Sequence, residues 1–223
     1  MGEVGVYEAM STLRAVRRLR PDPIPDAVLH RVLEAATFAP TGGNTQPWRV
    51  IVVRDPARKQ RLGALYRERW TRYVAGRRQA LGTAPAPVQQ KAERMLAAGD
   101  HLAAHFGESP VVAVFCFDPG NMAITDARQP RVSVVGGASI YPAVENLLLA
   151  CRAEGLGCTL TTLLCDCEPE VKQLLGVPDG WYTACAIPIG WPQRRGHGPI
   201  SRRPVEKLAF LDSWGSAYPK PRA

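Results

Sequence analysis

The sequence predicts an α+β or α/β domain built on about four strands, with the sheet covered on both faces. Three observations carry this. Helix-period and strand-like segments alternate along the chain. The strand-like segments, such as Val50–Val53 and Val111–Phe117, are continuous apolar runs, the pattern of strands buried on both sides. The length, 223 residues, suits one globular domain over residues 1–223 with a substantial core.

The elements follow in order. From Asp26 to Ala39, apolar residues fall at 28, 29, 32, 33, 36 and 39, a helix period, and Pro23 and Pro25 fix the entry. Arg49–Arg54 reads as a strand. Pro56–Ala80 is a long basic helix, and Thr83–Val88 (T-A-P-A-P-V) breaks it. Gln89–Phe106 is a second amphipathic helix, and Pro110–Phe117 is a buried strand. Residues 118–130 show no period and hold Pro119, Gly120 and Pro130, so they form a loop able to border a pocket. Ala138–Ala153 is apolar nearly all round and reads as a buried helix ended by Gly155 and Gly157. Cys158–Leu164 reads as a strand. Glu168–Pro169 opens a short helix that Gly176 closes, and Trp181–Gly190 is the last strand. The basic, proline-bearing tail, residues 216–223, reads as flexible.

Composition narrows the function. Hydrophobic residues make up 46% and charged residues 22%, ordinary for a globular protein. No apolar run has the length of a membrane span, and the N-terminus lacks a signal peptide, so a cytoplasmic protein with reduced thiols is expected. Met1-Gly2 has no Ser or Thr where myristoylation needs one. The net charge is +8. Without a nucleic-acid fold motif or a basic–aromatic ribbon, this reads as a basic enzyme whose arginines hold anionic ligands rather than a nucleic-acid binder. Cys165 and Cys167 form C-x-C, not C-x-x-C. His101 and His105 could share a helix face, but nothing completes a zinc site. No Ser-His-Asp set is assignable. An enzyme of this composition would take its reactivity from a cofactor.

The most informative stretch is Ala39–Trp48, A-P-T-G-G-N-T-Q-P-W. Its glycines let the backbone approach a flat ligand. Thr41, Asn44 and Gln46 add compact donors and acceptors. Upstream lie Arg14, Arg17, Arg18 and Arg20, forks suited to a phosphate.

Leu13–Val53, with L-R-A-V-R-R-L-R-P-D-P-I-P and the loop above, resembles the opening of the FMN-dependent nitroreductase family. Gly136–Leu164 resembles that family's central helix and the strand passing the flavin. Ile189–Pro192 (I-G-W-P) and Ser201–Val205 (S-R-R-P-V) resemble its closing elements. Several ordered motifs over residues 10–215 weigh more than any lone glycine pattern. The resemblance implies a mixed, mainly antiparallel sheet of four to five strands flanked by helices. It also implies an intertwined homodimer with one FMN per subunit at the interface.

The implied roles are as follows. Arg14 grips the FMN phosphate, and Arg17 faces the N1/O2 edge of the ring. Ala15 stands where the family usually has Ser, and Leu13 where many members carry Arg; both departures leave more of the phosphate to Arg202 and Arg203. Pro40, Thr41, Gly42 and Asn44 line the ring and ribityl chain, with Thr41 keeping the hydroxyl of the commoner Ser. Thr161, Thr162 and Leu163 supply a backbone N–H to flavin N5. The implied activity is ping-pong electron transfer from NADH or NADPH, through FMN, to a nitroaromatic, quinone or similar flat acceptor. No protein side chain is strictly required to shuttle a proton.

Two alternatives stay open. One is a flavin enzyme of this fold with another task, such as dehalogenation, flavin fragmentation or azoline or peptide dehydrogenation. The other is a non-catalytic flavin-binding or basic interaction protein. The 118–135 loop and the 65–105 helices would shape acceptor choice, and no motif in them decodes it. Gly136-Gly137-Ala138 lacks the Rossmann G-x-G-x-x-G spacing, so no motif selects between NADH and NADPH.

Overall fold

The computed structural model describes residues 4–81 and 85–220. The architecture is α+β. Six α-helices surround a five-stranded sheet: α1 (Val6–Thr12), β1 (Leu19–Arg20), α2 (Asp26–Thr37), β2 (Trp48–Val53), α3 (Pro56–Leu81), α4 (Ala86–His105), β3 (Val111–Phe117), α5 (Tyr141–Ala153), β4 (Gly157–Cys158), α6 (Glu168–Leu175) and β5 (Tyr182–Pro192). The strand order is β1-β5-β3-β2, with β4 also paired to β5, and every ladder is antiparallel.

The continuous apolar run of β3 is explained by its place between β2 and β5. Val111, Ala113 and Phe115 point into one core with α2 and α5, while Val112, Val114 and Cys116 point into another with α3 and α4. Side chains alternate between faces, so a strand covered on both sides must be apolar at every position. α2 buries Leu29, Val32 and Ala36, and α5 buries Ala143, Val144, Leu147, Leu148 and Cys151, the spacing of one helical face.

Several elements differ from the sequence reading: α1 and β1 have no counterpart in it, α4 starts at Ala86 rather than Gln89, and two more change their bounds. The helix expected from Ala138 begins at Tyr141, and residues Val135–Ser139 form a 3-10 turn instead. Pro142 sits in the first helical turn, and its ring would clash with the carbonyl four residues back in any longer helix. Nor is α5 buried all round: Tyr141 and Glu145 are exposed. The strand expected over Cys158–Leu164 shrinks to Gly157–Cys158. Thr161 keeps one isolated bridge to Ala186, and Leu163–Cys167 turns into a 3-10 helix. The cause is local. Thr159 Oγ1 donates to the Val16 carbonyl at 3.0 Å, and Leu163 N–H donates to Thr161 Oγ1 at 3.3 Å, so threonine hydroxyls replace the strand ladder.

The sequence break at Thr83–Val88 begins in residues 82–84, outside the described residues; α4 starts at Ala86, with proline in its first turn. In the tail, Ala217 bridges Phe210, and residues 221–223, like 1–3, lie outside the described residues. Among the described residues no helix is long and apolar enough to cross a membrane.

Candidate functional site

Two chain segments nearly two hundred residues apart build the first part of the site. The link after α1 lies along β4: Ala15 bridges Cys158 in parallel, and Val16 N–H donates to the Cys158 carbonyl at 2.9 Å. The segment after β5 then runs back beside it. Gln193 N–H donates to Arg18 O at 3.0 Å, Gly198 N–H to Thr12 O at 3.0 Å, and Ile200 N–H to Ser11 O at 3.3 Å. Arg14 locks the crossing, its Nε donating to the Pro199 carbonyl at 3.1 Å and its Nη2 to the same oxygen.

Arg14, Ala15, Thr159, Leu160 and Arg202 consequently line one cleft of about 270 Å³. Arg202 donates only to the carbonyl of Ser201, at 2.9 Å. Glu145 also stands on the wall but pairs with neither arginine. Among the described residues, no carboxylate pairs with Arg14, Arg17, Arg202 or Arg203. The cleft therefore holds uncompensated forked donors, the arrangement an anion completes.

A second group gathers around Thr161. Its N–H donates to Ala186 O at 2.9 Å, and its carbonyl accepts from Ala186 N–H at 2.8 Å. Its hydroxyl accepts from Leu163 N–H and lies near the phenol of Tyr66, which α3 buries against Phe106. Burial pushes the Tyr66 phenol up, while the Thr161 side chain and the charge of nearby Arg17 pull it back. The N–H groups of Thr161 and Leu163 are thus committed inside the fold. Thr162, between them, is exposed, and its N–H has no acceptor among the described residues. Thr162 also lines a cleft of about 420 Å³ with Phe117, Met122, Tyr141 and Cys165, bordered by the 118–135 loop.

The glycine loop forms the third group. Gly43, Asn44 and Gln46 all have left-handed backbone, with φ of 59°, 55° and 47°. The strain in the two non-glycine residues is held by side chains. Gln46 N–H donates to Thr41 Oγ1 at 3.1 Å, and Gln46 Nε2 reaches the Asn44 side-chain oxygen at 3.2 Å. Gln46 thus pins the loop, and Trp48 packs on Phe115 with ring centroids 5.7 Å apart. Gly42 N–H donates to Ser139 Oγ at 3.1 Å. Pro40, Gly42 and Asn44 are exposed and Thr41 half-buried. None of the four lines the Arg14–Arg202 cleft. Within one chain the loop and the arginines are therefore separate surfaces.

Cys116, Cys185 and the helix histidines lie outside both clefts. Burial pushes Cys116 up to about 11 and Cys185 up to about 12, so both stay protonated near neutrality. His101 is tied to Arg18 at 3.0 Å and lies 4.3 Å from the His105 ring. Sequence reasoning missed Tyr66, which sits on a helix 95 positions before Thr161 and has no local signature. It also missed Pro199, whose carbonyl orients Arg14.

The chain is similar to known proteins across most of its length. The family model described as "Nitroreductase family" matches residues 12–191. An NADH dehydrogenase of Thermus thermophilus is 32% identical over 205 residues, covering 88% of this chain and 91% of the relative. A 5,6-dimethylbenzimidazole synthase of Rhodospirillum rubrum is 32% identical over 212 residues, covering 93% and 88%. Iodotyrosine deiodinase 1 of Rattus norvegicus is 26% identical over 203 residues, covering 91% and 67%. Among solved structures, a nitroreductase with bound FMN from Desulfitobacterium hafniense shares the fold with a TM-score of 0.65 and 20% identity, covering 95% of this chain and 100% of that one. With the family matched across most of its length and its fold reproduced, the chain belongs to the nitroreductase family.

Proposed function

We propose that the protein binds one FMN per subunit, without a covalent link, and passes electrons from NADH or NADPH to a nitroaromatic, quinone or similar flat acceptor. The observation that carries this is the cleft in which Arg14 and Arg202 meet with no carboxylate paired to either, beside a turn whose Thr162 N–H has no acceptor among the described residues. The donor set suits the group: two forks for a phosphate monoester and a backbone N–H for a ring nitrogen.

When bound, FMN supplies the hydride acceptor and donor that the side chains lack. The residues bind and orient. Arg14 and Arg202 hold the phosphate, with exposed Arg203 adding charge at the rim. Ala15 offers backbone but no hydroxyl. Arg17, near Tyr66, would set a positive charge at the ring edge. Thr162 N–H is a free donor that would suit a ring nitrogen of the flavin, and such a donor would favour the electron-rich ring.

The glycine loop enters through a second copy of the chain. Pro40, Thr41, Gly42 and Asn44 stand apart from the arginine cleft, and a partner's loop would close it. Exposed apolar residues support such a homodimer: Tyr7 and Met10 on α1, then Leu208, Leu211 and Trp214, the last 92% exposed. Isolated, these would be an association liability.

The test is direct. Heat-released pigment should chromatograph as FMN, and anaerobic NADH or NADPH should bleach the yellow protein. FAD in its place, or no uptake of FMN by folded protein, overturns the reading. Double-reciprocal plots at several acceptor concentrations should be parallel, because donor and acceptor share one face of the ring. Dilution below the dimer dissociation constant should release FMN and activity together; an active, FMN-loaded monomer would sink the interface assignment. The relatives named dimethylbenzimidazole synthase and iodotyrosine deiodinase favour a second reading, a flavin enzyme with another task. A panel of nitroaromatic, quinone and halogenated aromatic acceptors separates the two.

A further inference from the structure

The cleft beside Thr162 has a chemistry of its own. Phe117, Met122, Ile124, Ile140 and Tyr141 wall it, and among the described residues none that lines it is charged. Four of its lining side chains carry a donor hydrogen that the fold has already used. Ser133 Oγ donates to Asp126 Oδ1 at 2.6 Å, and Arg131 holds the same carboxylate at 2.6 Å. Thr183 Oγ1 donates to Glu168 Oε1 at 2.8 Å. Tyr141 Oη donates to the Ala184 carbonyl and Cys165 Sγ to the Thr183 carbonyl, each at 3.4 Å. Of the polar side chains in the lining, that leaves Thr162, whose N–H also has no acceptor among the described residues. A ligand here meets apolar walls, one threonine and no counter-charge.

Position gives this lack of charge a use. Thr159 and Leu160 line the arginine cleft and Thr162 lines this one, so one stretch of chain borders both. Two residues of chain span at most about 7 Å, which sets the distance from Leu160 to Thr162. A cofactor with its phosphate on Arg14 and Arg202 and its ring at Thr162 therefore ends beside this cleft. The volume, about 420 Å³, suits a small ring compound. An uncharged ring gains by leaving water for such walls. A carboxylate loses its hydration and finds almost no donor in return.

We propose that this cleft takes the acceptor, and that it selects uncharged flat rings, quinones and neutral nitroaromatics, over rings that carry a carboxylate. Both favoured classes share the chemistry recognised: an apolar ring with oxygens that accept from Thr162. The role in turnover rests on the flavin reading; the preference in binding does not. The net charge of +8 sharpens the expectation. The overall field attracts anions, so a preference for the uncharged ligand has to come from the cleft itself.

A matched pair tests it: methyl 4-nitrobenzoate and 4-nitrobenzoate, which share ring and nitro group and differ in charge. In equilibrium dialysis against the full chain, without an electron donor, the ester should bind saturably, one per chain. It should bind about tenfold or more tighter than the carboxylate. Dialysis sees binding alone and is blind to the ester's easier reduction. KM values in NADH- or NADPH-driven turnover should follow the same order. Ile124→Arg, which sets a cation on the wall, should cut the preference about tenfold, because the carboxylate then gains a charge-assisted partner. Ile124→Gln, polar but uncharged, should keep the ester preferred. Failure of the flavin reading shows as protein that takes up no FMN yet still prefers the ester in dialysis. The proposal itself falls if the two bind equally, if the carboxylate binds tighter, or if the ester does not saturate, even when the protein is yellow and reducible. It also falls if Ile124→Arg keeps the full preference, which would place the binding elsewhere.

Discussion

Arg69 and Arg14 are both arginines on basic stretches, and the fold treats them oppositely. Arg69, on α3, is 9% exposed and meets Glu68 at 2.6 Å, Asp166 at 3.0 Å and Glu170 at 3.2 Å. It ties α3 to the 3-10 turn after Thr162 and to α6. Among the described residues no carboxylate pairs with Arg14 or Arg202, although Glu145 shares their cleft, and Arg14 is held by the Pro199 carbonyl. A guanidinium surrounded by carboxylates is already neutralised and serves architecture. A pair held in place but not neutralised still has an anion to find. Pairing, not local charge density, separates the two kinds of arginine.

The sharpest way to break this comparison is Arg14→Ala/Arg202→Ala. A charge-assisted hydrogen bond contributes about 1.5–3 kcal/mol, so losing one from each residue should weaken FMN binding about 100-fold or more. Each single variant should lose about tenfold, while Arg18→Ala, whose partner is His101, should lose far less. Flavin fluorescence titration reads this; equal affinities in all variants would remove the phosphate assignment.

Arg69→Ala should do the reverse. It leaves three carboxylates facing one another and an unfilled space under α3, so the thermal midpoint should fall by several degrees. FMN affinity of the protein that remains folded should change much less than in the Arg14 and Arg202 variants. A stable Arg69→Ala protein with poor flavin binding would invert the contrast.

Thr161→Val is smaller. It keeps the shape but strands the Leu163 N–H, a cost of about 1–3 kcal/mol in denaturant unfolding. Because it frees the turn that presents Thr162, anaerobic reduction by NADH should slow as well. Tyr66→Phe, which retains the stack on Phe106, should share the slower reduction with less loss of stability.

The smallest effect concerns an exposed pair. Arg31 donates twice to Glu154, both bonds at 2.7 Å, and holds that carboxyl below its ordinary value. A depressed carboxyl adds stability above its unfolded pKa, which is lost as pH falls through the folded value. Arg31→Gln should therefore lie slightly below the parent in thermal midpoint at pH 7, and the two should converge below about pH 4. A gap that persists in acid would show that the pair acts through packing.

Much of this was legible in the residues. The helix period of α2 and the unbroken apolar runs of β2 and β3 reflect burial that every residue of the element feels, so local pattern reports it. The glycine loop and the arginines at 14 and 202 were legible because their chemistry is written in residue type. Cys158–Leu164 misled because leucine and threonine suit a strand, while the competing hydroxyl bonds of Thr159 and Thr161 depend on where Val16 and Leu163 lie. The helix start at Tyr141 was encoded in Pro142 and outweighed by the apolar composition before it.

By itself the sequence determined which segments are apolar on one side or both, where proline and glycine interrupt them, and which residues carry forks, hydroxyls or free backbone. These are properties of single residues and near neighbours, set by sterics and solvation. Only the tertiary structure decided that Arg14 and Arg202 share one cleft, that Tyr66 lies near Thr161, that Arg69 is neutralised and Arg14 is not, and that the 40–44 loop stands apart from the arginines. Each of those depends on contacts between segments far apart in sequence, closed by the return of the chain after β5, and no local periodicity encodes such a meeting.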